Sequence, residues 1–240
     1  MSPDIMLAVV GTAIIQSIFG VGVLLFGTPL LLLLGYQFID SLIILLPISI
    51  SINLFQIIRH YSLIDRKFYK NILIYTIPFV VLFLFLIASS KINISLIIGL
   101  FLLFVALKSY SKQVESILET LVKYERSYLA VMGIIHGLTN LGGSLLTAIV
   151  HGKGYTKDVT RVTVAAAYAT FAVFQILTLL FSVKSYDGLF TENMIYLTVA
   201  LMVYVWAEEM VYVQIDNAKY SKIFAVFLFV SGVLLIGKSI

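Results

Sequence analysis

The chain contains no cysteine, and this absence excludes several classes of site. No disulfide framework, thiolate-bound metal or cysteine nucleophile can form without it. The histidines, His60, His136 and His151, do not have the spacing of a metal site. The motifs of zinc proteases, P-loop proteins and serine hydrolases do not occur either. The sequence therefore predicts no metal or other cofactor, and it predicts that the protein is not an enzyme.

Charged residues are scarce, because they make up 12% of the 240 residues against about 25% in soluble proteins. Hydrophobic residues make up 61%, and the mean hydropathy is +1.07. These values indicate an integral membrane protein with several spans. The N-terminal segment has no positively charged start, so we do not expect a cleaved signal peptide. The net charge of +4 is explained by membrane-protein loops and does not predict a nucleic-acid partner.

Eight apolar runs are separated by charged and turn residues, and the first run is unusually long. It spans 31 residues, Ile5–Gly35. A straight helix of that length would reach about 46 Å, whereas the hydrocarbon core is about 30 Å thick. Four helix-weakening residues interrupt it: Gly20, Gly22, Gly27 and Pro29. The other runs are Leu42–Ile58, Ile72–Ala88, Ile92–Leu107, Leu129–Val150, Val162–Val183, Met194–Trp206 and Ile223–Ile236.

Two topologies fit the first run. It can be one long kinked span, which gives eight spans in two halves of the same orientation. It can instead be a re-entrant hairpin, whose two half-helices enter and leave on one side. Non-helical backbone is tolerated at that depth only inside protein or beside water. Lys and Arg concentrate on the cytoplasmic side of membrane proteins, so their distribution distinguishes the two topologies.

The charge distribution favours re-entrant hairpins. With eight spans and the N-terminus inside, 10 of the 16 Lys and Arg residues lie inside. With hairpins at Ile5–Gly35 and Leu129–Val150 and the N-terminus outside, 13 of the 16 lie inside, although the second run has the length of one ordinary span. The predicted fold is an all-α polytopic membrane protein. It has two inverted pseudo-symmetric halves, each a glycine-broken re-entrant helical hairpin plus three transmembrane helices.

The two halves are also weakly similar in sequence. The segments "GYQFIDSLIILLPISISINLFQI", from Gly35, and "GYTKDVTRVTVAAAYATFAVFQI", from Gly154, share five identities in 23 positions. Both follow a glycine-broken run, and coincidence in a biased composition is the alternative. Inverted repeats with broken helices are a common plan of transporters. We therefore divide the chain into a first membrane repeat (1–110), a connecting amphipathic helix on the cytoplasmic interface (111–127) and a second membrane repeat (128–240).

Two motif regions, "QSIFGVGVLLFGTPLLLLLGY" and "HGLTNLGGSLLTAIVHGKGY", resemble those of the TauE/SafE sulfite exporter family. The first matches a Gly-rich stretch followed by Pro-Leu, through Gly20, Gly22, Pro29 and Leu30. The second matches a Gly-Gly pair and a basic residue that opens the next helix, through Gly142, Gly143 and Arg161. Val21, Val23, Asn140 and Leu141 depart from the usual small residues. The resemblance implies passage of sulfite, sulfonates or related sulfur anions across a bacterial cytoplasmic membrane without ATP hydrolysis.

The hairpin tips are candidate anion sites, because a helix N-terminus offers free amides and glycine lets a ligand approach the backbone. Gly20 and Gly22 would line the first tip. The second tip would be lined by Thr139, Asn140, Gly142, Gly143 and Ser144. Close packing of helices through small residues is the structural alternative.

Four further side chains are candidates for substrate binding. His136 can hold an anion or a coupled proton, and Arg161 offers a planar fork suited to oxyanions. Gln56 and Gln175 occupy matching positions in the two halves, and bonding between helices is their alternative role. An ordinary positive-inside anchor is the alternative for Arg161. The cluster of Arg59, His60, Arg66, Lys67 and Lys70 is expected to set topology, with lipid headgroup contact as an additional role. Glu208 and Glu209 are expected to face water, and a place in a proton path is their alternative.

The broken helices and the weak repeat favour a secondary transporter, and the resemblance implies an exporter of small sulfur-containing anions such as sulfite, thiosulfate or sulfonates. It would work by alternating access around an anion site between two broken helices. The alternative is a membrane scaffold or assembly factor. The expected partners are a small sulfur oxyanion or organosulfonate and the lipid bilayer. A homodimer is compatible with the sequence, and the expected location is the bacterial cytoplasmic membrane, as a multi-pass protein.

Overall fold

A computed structural model describes residues 2–90, 94–108, 123–182, 190–211 and 217–239. Within these ranges the regular structure is entirely helical, as the sequence predicted. The first half contains α1 (Pro3–Phe19), α2 (Val23–Leu34), α3 (Phe38–His60), a 3₁₀ turn (Tyr61–Leu63), α4 (Arg66–Tyr75), α5 (Ile77–Ala88) and α6 (Ser95–Lys108). The second half contains α7 (Glu125–Thr139), α8 (Gly143–Gly152), α9 (Lys157–Ser182), α10 (Phe190–Val211) and α11 (Asn217–Ser239). The connecting helix expected over 111–127 lies, apart from residues 123–127, outside the described ranges.

Both unusual apolar runs break into two helices. After α1, Gly20 adopts a left-handed φ of 72°, and Gly22 precedes the first residue of α2. After α7, Asn140 adopts a left-handed φ of 61°, and it is the one non-glycine residue with positive φ in the described ranges. Asn tolerates this conformation better than most residues. The second break is therefore made by Asn140 rather than by the Gly142–Gly143 pair.

Each broken run doubles back on itself. The hydroxyl of Tyr36, just after α2, donates to the carboxylate of Asp4, at the start of α1, at 2.9 Å. In the second run, Lys153, just after α8, forms an ion pair of 2.6 Å with Glu125, the first residue of α7. A single straight helix could not bring its two ends together, so both runs are helical hairpins.

The two hairpins open at opposite ends of the helix bundle. Tyr36, at the open end of the first hairpin, leads into α3, whose 23 residues extend about 34 Å. Beyond the far end of α3, Asp65 accepts a hydrogen bond from the hydroxyl of Tyr155. Tyr155 lies between α8 and α9, at the open end of the second hairpin. We call these ends of the bundle the Tyr36 end and the Asp65 end.

The helices pack in pairs that correspond between the two halves. The main pairs are α3 with α9, α6 with α11, α1 with α10 and α5 with α7. Exchanging α1 with α7, α3 with α9, α5 with α10 and α6 with α11 maps these pairs onto one another. Glycines allow two of the close approaches, because a Cβ on Gly99 would lie 3.0 Å from the carbonyl oxygen of Gly232, and one on Gly133 would lie 2.5 Å from that of Thr76.

The described helices are those of a multi-pass membrane protein. By length and composition, three helical segments can cross a bilayer: Phe38–Leu63, Arg66–Ala88 and Asp158–Ser182. Shorter apolar helices accompany them, and large apolar side chains such as Phe181 and Met202 are 85% and 66% exposed. Exposed apolar surface of this extent suits contact with lipid.

Two carboxylates at the Asp65 end have lowered pKa values. Burial raises the pKa of Asp65, but hydrogen bonds from the Phe68 amide, the Tyr155 hydroxyl and the Lys67 amide outweigh it. Burial also raises the pKa of Glu125, and the bonds from Lys153 and Asn71 outweigh that effect. Both ionised groups therefore stabilise the folded protein. Their contribution is complete above the unfolded-state pKa values, roughly 4, and is lost as the pH falls through the lower folded-state values.

We therefore expect acid to weaken the Asp65 end. The midpoint temperature of thermal unfolding, followed by circular dichroism in detergent, should decrease as the pH is lowered from about 5 to about 3. The double variant Asp65→Asn and Glu125→Gln should be less stable at neutral pH and should show a smaller acid-induced fall. An equal fall in the wild type and the double variant would contradict this account.

Candidate functional site

A buried hydrogen-bond network joins the tip of the second hairpin to the first hairpin. The amide of Asn140 donates to the Thr28 hydroxyl, in α2, at 2.9 Å. Its carbonyl oxygen accepts from the amide of Gln175, in α9, at 3.2 Å. His136 Nε2 lies 3.3 Å from the carbonyl oxygen of Gln175, and all four side chains are fully buried. We call Thr28, His136, Asn140 and Gln175 the tip network.

The network defines the proton on His136. The side-chain oxygen of Gln175 can only accept, so Nε2 must carry a hydrogen, and Nδ1 of the neutral ring is then an acceptor. Nδ1 is buried and has no hydrogen-bond partner among the described residues. It lies beside the second tip, since a Cβ on Gly142 would be 3.1 Å from it. A buried acceptor without a donor is costly, and this makes His136 a candidate for binding a ligand or a proton.

The side-chain amide of Gln16 bonds to the backbone of the first tip from inside the protein. The Gln16 side-chain oxygen accepts from the Val23 amide at 3.0 Å. Its nitrogen donates to the carbonyl oxygen of Gly20 at 3.3 Å and to the side-chain oxygen of Asn53 at 3.1 Å. One of the tip amides expected to face an anion is therefore already occupied by the protein's own side chain.

The tip glycines are closely packed. A Cβ on Gly22 would lie 2.5 Å from the backbone nitrogen of Gln16, and one on Gly142 would lie 2.6 Å from the His136 Cβ. A Cβ on Gly143 would fall 1.1 Å from the hydroxyl oxygen of Tyr168. These three glycines are needed for packing, whatever else they do.

Thr139 and Ser144 are bonded within their own hairpin. The Thr139 hydroxyl donates to the Ile135 carbonyl at 2.7 Å and accepts from the Leu141 amide at 3.1 Å. The Ser144 hydroxyl donates to the Leu141 carbonyl at 3.1 Å. Both side chains shape the second tip, and neither takes part in the tip network.

A second polar group lies towards the Asp65 end, around Arg161. Arg161 Nη2 donates to Glu208 at 2.6 Å and to the Tyr204 hydroxyl at 2.7 Å. Arg59 donates to the other oxygen of the same carboxylate at 3.2 Å. Gln56 donates to the Tyr204 hydroxyl at 2.9 Å. We call Gln56, Arg59, Arg161, Tyr204 and Glu208 the arginine group.

The candidates from the sequence thus separate into two places. His136, Asn140, Gly142, Gly143 and Gln175 meet at the second tip, with Thr139 and Ser144 beside them. Gln56 and Arg161 belong to the arginine group, and Gly20 touches it, because a Cβ on Gly20 would lie 3.2 Å from the Arg161 Cγ. Gly22 packs against α1.

Sequence reasoning missed some of the partners. Thr28, Tyr168 and Tyr204 were not identified. The only signals in the sequence are that Thr28 is a polar residue close to the first break and that Tyr204 stands four residues before Glu208. Arg59 was interpreted as a topology determinant. Glu208 was expected to face water, yet its side chain is only 13% exposed and lies between two arginines.

Comparison with known proteins identifies one family. The model described as "Sulfite exporter TauE/SafE" matches residues 5–235, which is nearly the whole chain. No curated protein and no solved structure gives a significant match.

The packing of Gly143 can be tested directly. Gly143→Ala should destabilise the protein by about 1–3 kcal/mol, because its Cβ would overlap the Tyr168 hydroxyl. Gly11→Ala is the matched control, since nothing lies within 4 Å of a Cβ there, and alanine favours a helix by up to about 1 kcal/mol. The measurement is thermal unfolding in detergent. Equal stability of the two variants would contradict the packing described here.

Proposed function

The chain belongs to the TauE/SafE sulfite exporter family, and from that membership and the geometry above we propose that it is a secondary transporter for small sulfur-containing anions. The substrates would be sulfite, thiosulfate or sulfonates, exported across a bacterial cytoplasmic membrane. The observation that carries the proposal is the tip network, in which polar side chains of both hairpins meet in the buried centre of an apolar bundle.

The arrangement of the hairpins supports inverted repeats. They open at opposite ends of the bundle, and the packed helix pairs exchange when the halves are exchanged. Basic residues collect at the Asp65 end, which would then be the cytoplasmic side: Arg66, Lys67, Lys70, Arg126 and Lys153. Inverted repeats with broken helices place the substrate site between the repeats near the midplane.

The chemistry of the tip network suits a small oxyanion. Polar side chains are costly inside a membrane and commonly mark a substrate path. The amides of Asn140 and Gln175 are donors that can turn from their present partners to anion oxygens. Nδ1 of His136 can accept from an anion that carries a hydroxyl, such as hydrogensulfite, or can itself take a proton. The tip network thus offers both hydrogen-bond donors and a hydrogen-bond acceptor within one buried site.

Alternating access follows from the way the hairpins meet. Because Asn140 bonds to Thr28 across the two hairpins, rocking one repeat against the other would open and close this contact. The fully buried network corresponds to a conformation closed to both sides. Relative motion of the repeats would expose the site to each side in turn, and the family suggests that this takes place without ATP hydrolysis.

A scaffold or assembly factor is the second candidate, and one observation favours it. Gly22, Gly142 and Gly143 are in close contact with protein atoms, as glycines used only for helix packing would be. Such a protein would need the tips for stability alone. Transport measurements on purified protein in liposomes separate the two functions.

The test uses Asn140, because two substitutions separate its side chain from its backbone. Asn140→Gly tolerates the left-handed φ but removes the amide, and Asn140→Ala adds backbone strain of about 1–2 kcal/mol. Efflux of sulfite from loaded proteoliposomes should fall at least tenfold in both, as expected from the loss of two buried hydrogen bonds. Both variants should unfold at a lower temperature than the wild type, because both lose these bonds, and Asn140→Ala should unfold at the lowest temperature because of the added strain.

Two outcomes would overturn the proposal. One is wild-type efflux no faster than that of protein-free liposomes for sulfite, thiosulfate and methanesulfonate alike. The other is unchanged sulfite efflux in folded Asn140→Gly, since the tip network would then take no part in transport.

A further inference from the structure

The carboxylate of Glu208 is held the way a bound anion is held. One oxygen accepts from Arg161 Nη2 at 2.6 Å and from the Tyr204 hydroxyl at 3.1 Å. The other accepts from Arg59 at 3.2 Å. Two guanidinium groups and a hydroxyl therefore converge on one negative group, and hydrogen bonds of this charge-assisted kind are the usual means of holding carboxylates and other oxyanions.

The Arg161–Glu208 pair lines a small cavity. Glu208 is the one acid among the described residues that line it, together with Gln56, Arg59, His60, Arg161 and Val162. Arg59 is 47% exposed, whereas the side chains of Arg161 and Glu208 are only 14% and 13% exposed. Water therefore screens the Arg161–Glu208 pair weakly, and the position of this carboxylate strongly favours a negative group.

The cavity is too small for a guest while Glu208 is in place. Its volume is about 10 Å³, which is at the lower limit for one water molecule. The side-chain oxygen of Gln56, which also lines the cavity, is buried and has no partner among the described residues. An anion can enter only if the carboxylate moves out, and an anion with a hydroxyl could then donate to Gln56.

We propose that Arg59, Arg161 and Tyr204 form an anion seat that Glu208 occupies in this conformation, and that a small oxyanion binds there by displacing it. The class of anion rests on the proposed function, because the seat itself selects size and charge. The seat lies towards the Asp65 end and is separate from the tip network. It would therefore be a binding site at the entrance of the transport pathway.

The seat is mechanically connected to the first hairpin. Arg161 Nη2 donates to the Ser17 carbonyl at 3.4 Å, and the Arg161 stem lies against Gly20, where a Cβ would be 3.2 Å from its Cγ. A shift of Arg161 when an oxyanion replaces Glu208 would therefore change the contacts of the first tip. Arg59 is preorganised, because its guanidinium lies 4.4 Å above the Phe55 ring, which packs edge-on against Tyr204.

The test measures equilibrium binding of sulfite to the purified full-length protein by calorimetry at neutral pH. Glu208→Gln replaces the competing anion by a neutral amide, so the Kd for sulfite should fall at least tenfold. Arg59→Gln keeps the Arg161–Glu208 pair but removes one donor of the seat, so the Kd should rise about threefold or more. Arg59 is half-exposed, and this variant should fold even if Glu208→Gln does not.

Glu125→Gln is the matched control. It makes the same change of carboxylate to amide in another ion pair at the Asp65 end, and it should leave the Kd for sulfite unchanged. A decrease in Kd as large as that of Glu208→Gln would show a general effect of net charge and would overturn the proposal. An unchanged Kd in Arg59→Gln would also overturn it.

The seat and the proposed function can fail separately. If wild-type proteoliposomes show no sulfite flux, yet Glu208→Gln tightens sulfite binding and Arg59→Gln weakens it, the seat stands and the transport proposal fails. If flux is present and neither variant changes the Kd, the transport proposal stands and the seat is wrong.

Discussion

A chain that reverses inside a bilayer must satisfy its own polar groups, because no lipid can donate or accept a hydrogen bond. Each hairpin has an amide side chain near its reversal, and in the second hairpin the Thr139 hydroxyl accepts from the backbone amide of Leu141. Gln16 bonds to the backbone on both sides of the first break. Asn140 itself forms the second break, and its side chain reaches the neighbouring hairpin. These groups give the buried centre of the bundle its polar character, and the same groups are able to meet a polar guest.

The two polar groups perform different tasks in this account. The tip network joins the two hairpins through fully buried side chains, whereas the arginine group lies near one end and contacts the first tip through the Arg161 stem. A negative guest that passed from one to the other would leave two arginines for a site of neutral donors and acceptors. This order is sensible for transport, because strong charge attracts an anion at the mouth and weak hydrogen bonds release it further along.

Much of the fold could be predicted from the sequence. The all-helical membrane class follows from composition, the family from two motif regions, and the break in the first run from Gly20 and Gly22. The second run was expected to be broken by glycine, with Asn140 among the residues of its tip, but Asn140 itself adopts the left-handed conformation, and its side chain makes two buried bonds that glycine cannot form. Local pattern contains no information about such distant partners.

The arginine group was the hardest part to predict. Arg59 and Glu208 are 149 positions apart, and each stands at a helix end, where charged residues ordinarily face water. Only the packing of α3, α9 and α10 shows that Arg59 and Arg161 both donate to the Glu208 carboxylate. For the same reason the position of Tyr204, four residues before Glu208 in an apolar helix, does not show that its hydroxyl bonds to both Arg161 and Gln56.

Site-directed labelling can show whether the two hairpins enter the membrane from opposite sides, as inverted repeats require. The chain has no cysteine, so single substitutions can be labelled without background by a membrane-impermeant thiol reagent in oriented vesicles. We expect Ser2→Cys and Gln37→Cys to react from one side, and Tyr124→Cys and Thr156→Cys to react from the other. Reaction of Ser2→Cys and Gln37→Cys from opposite sides would contradict this expectation.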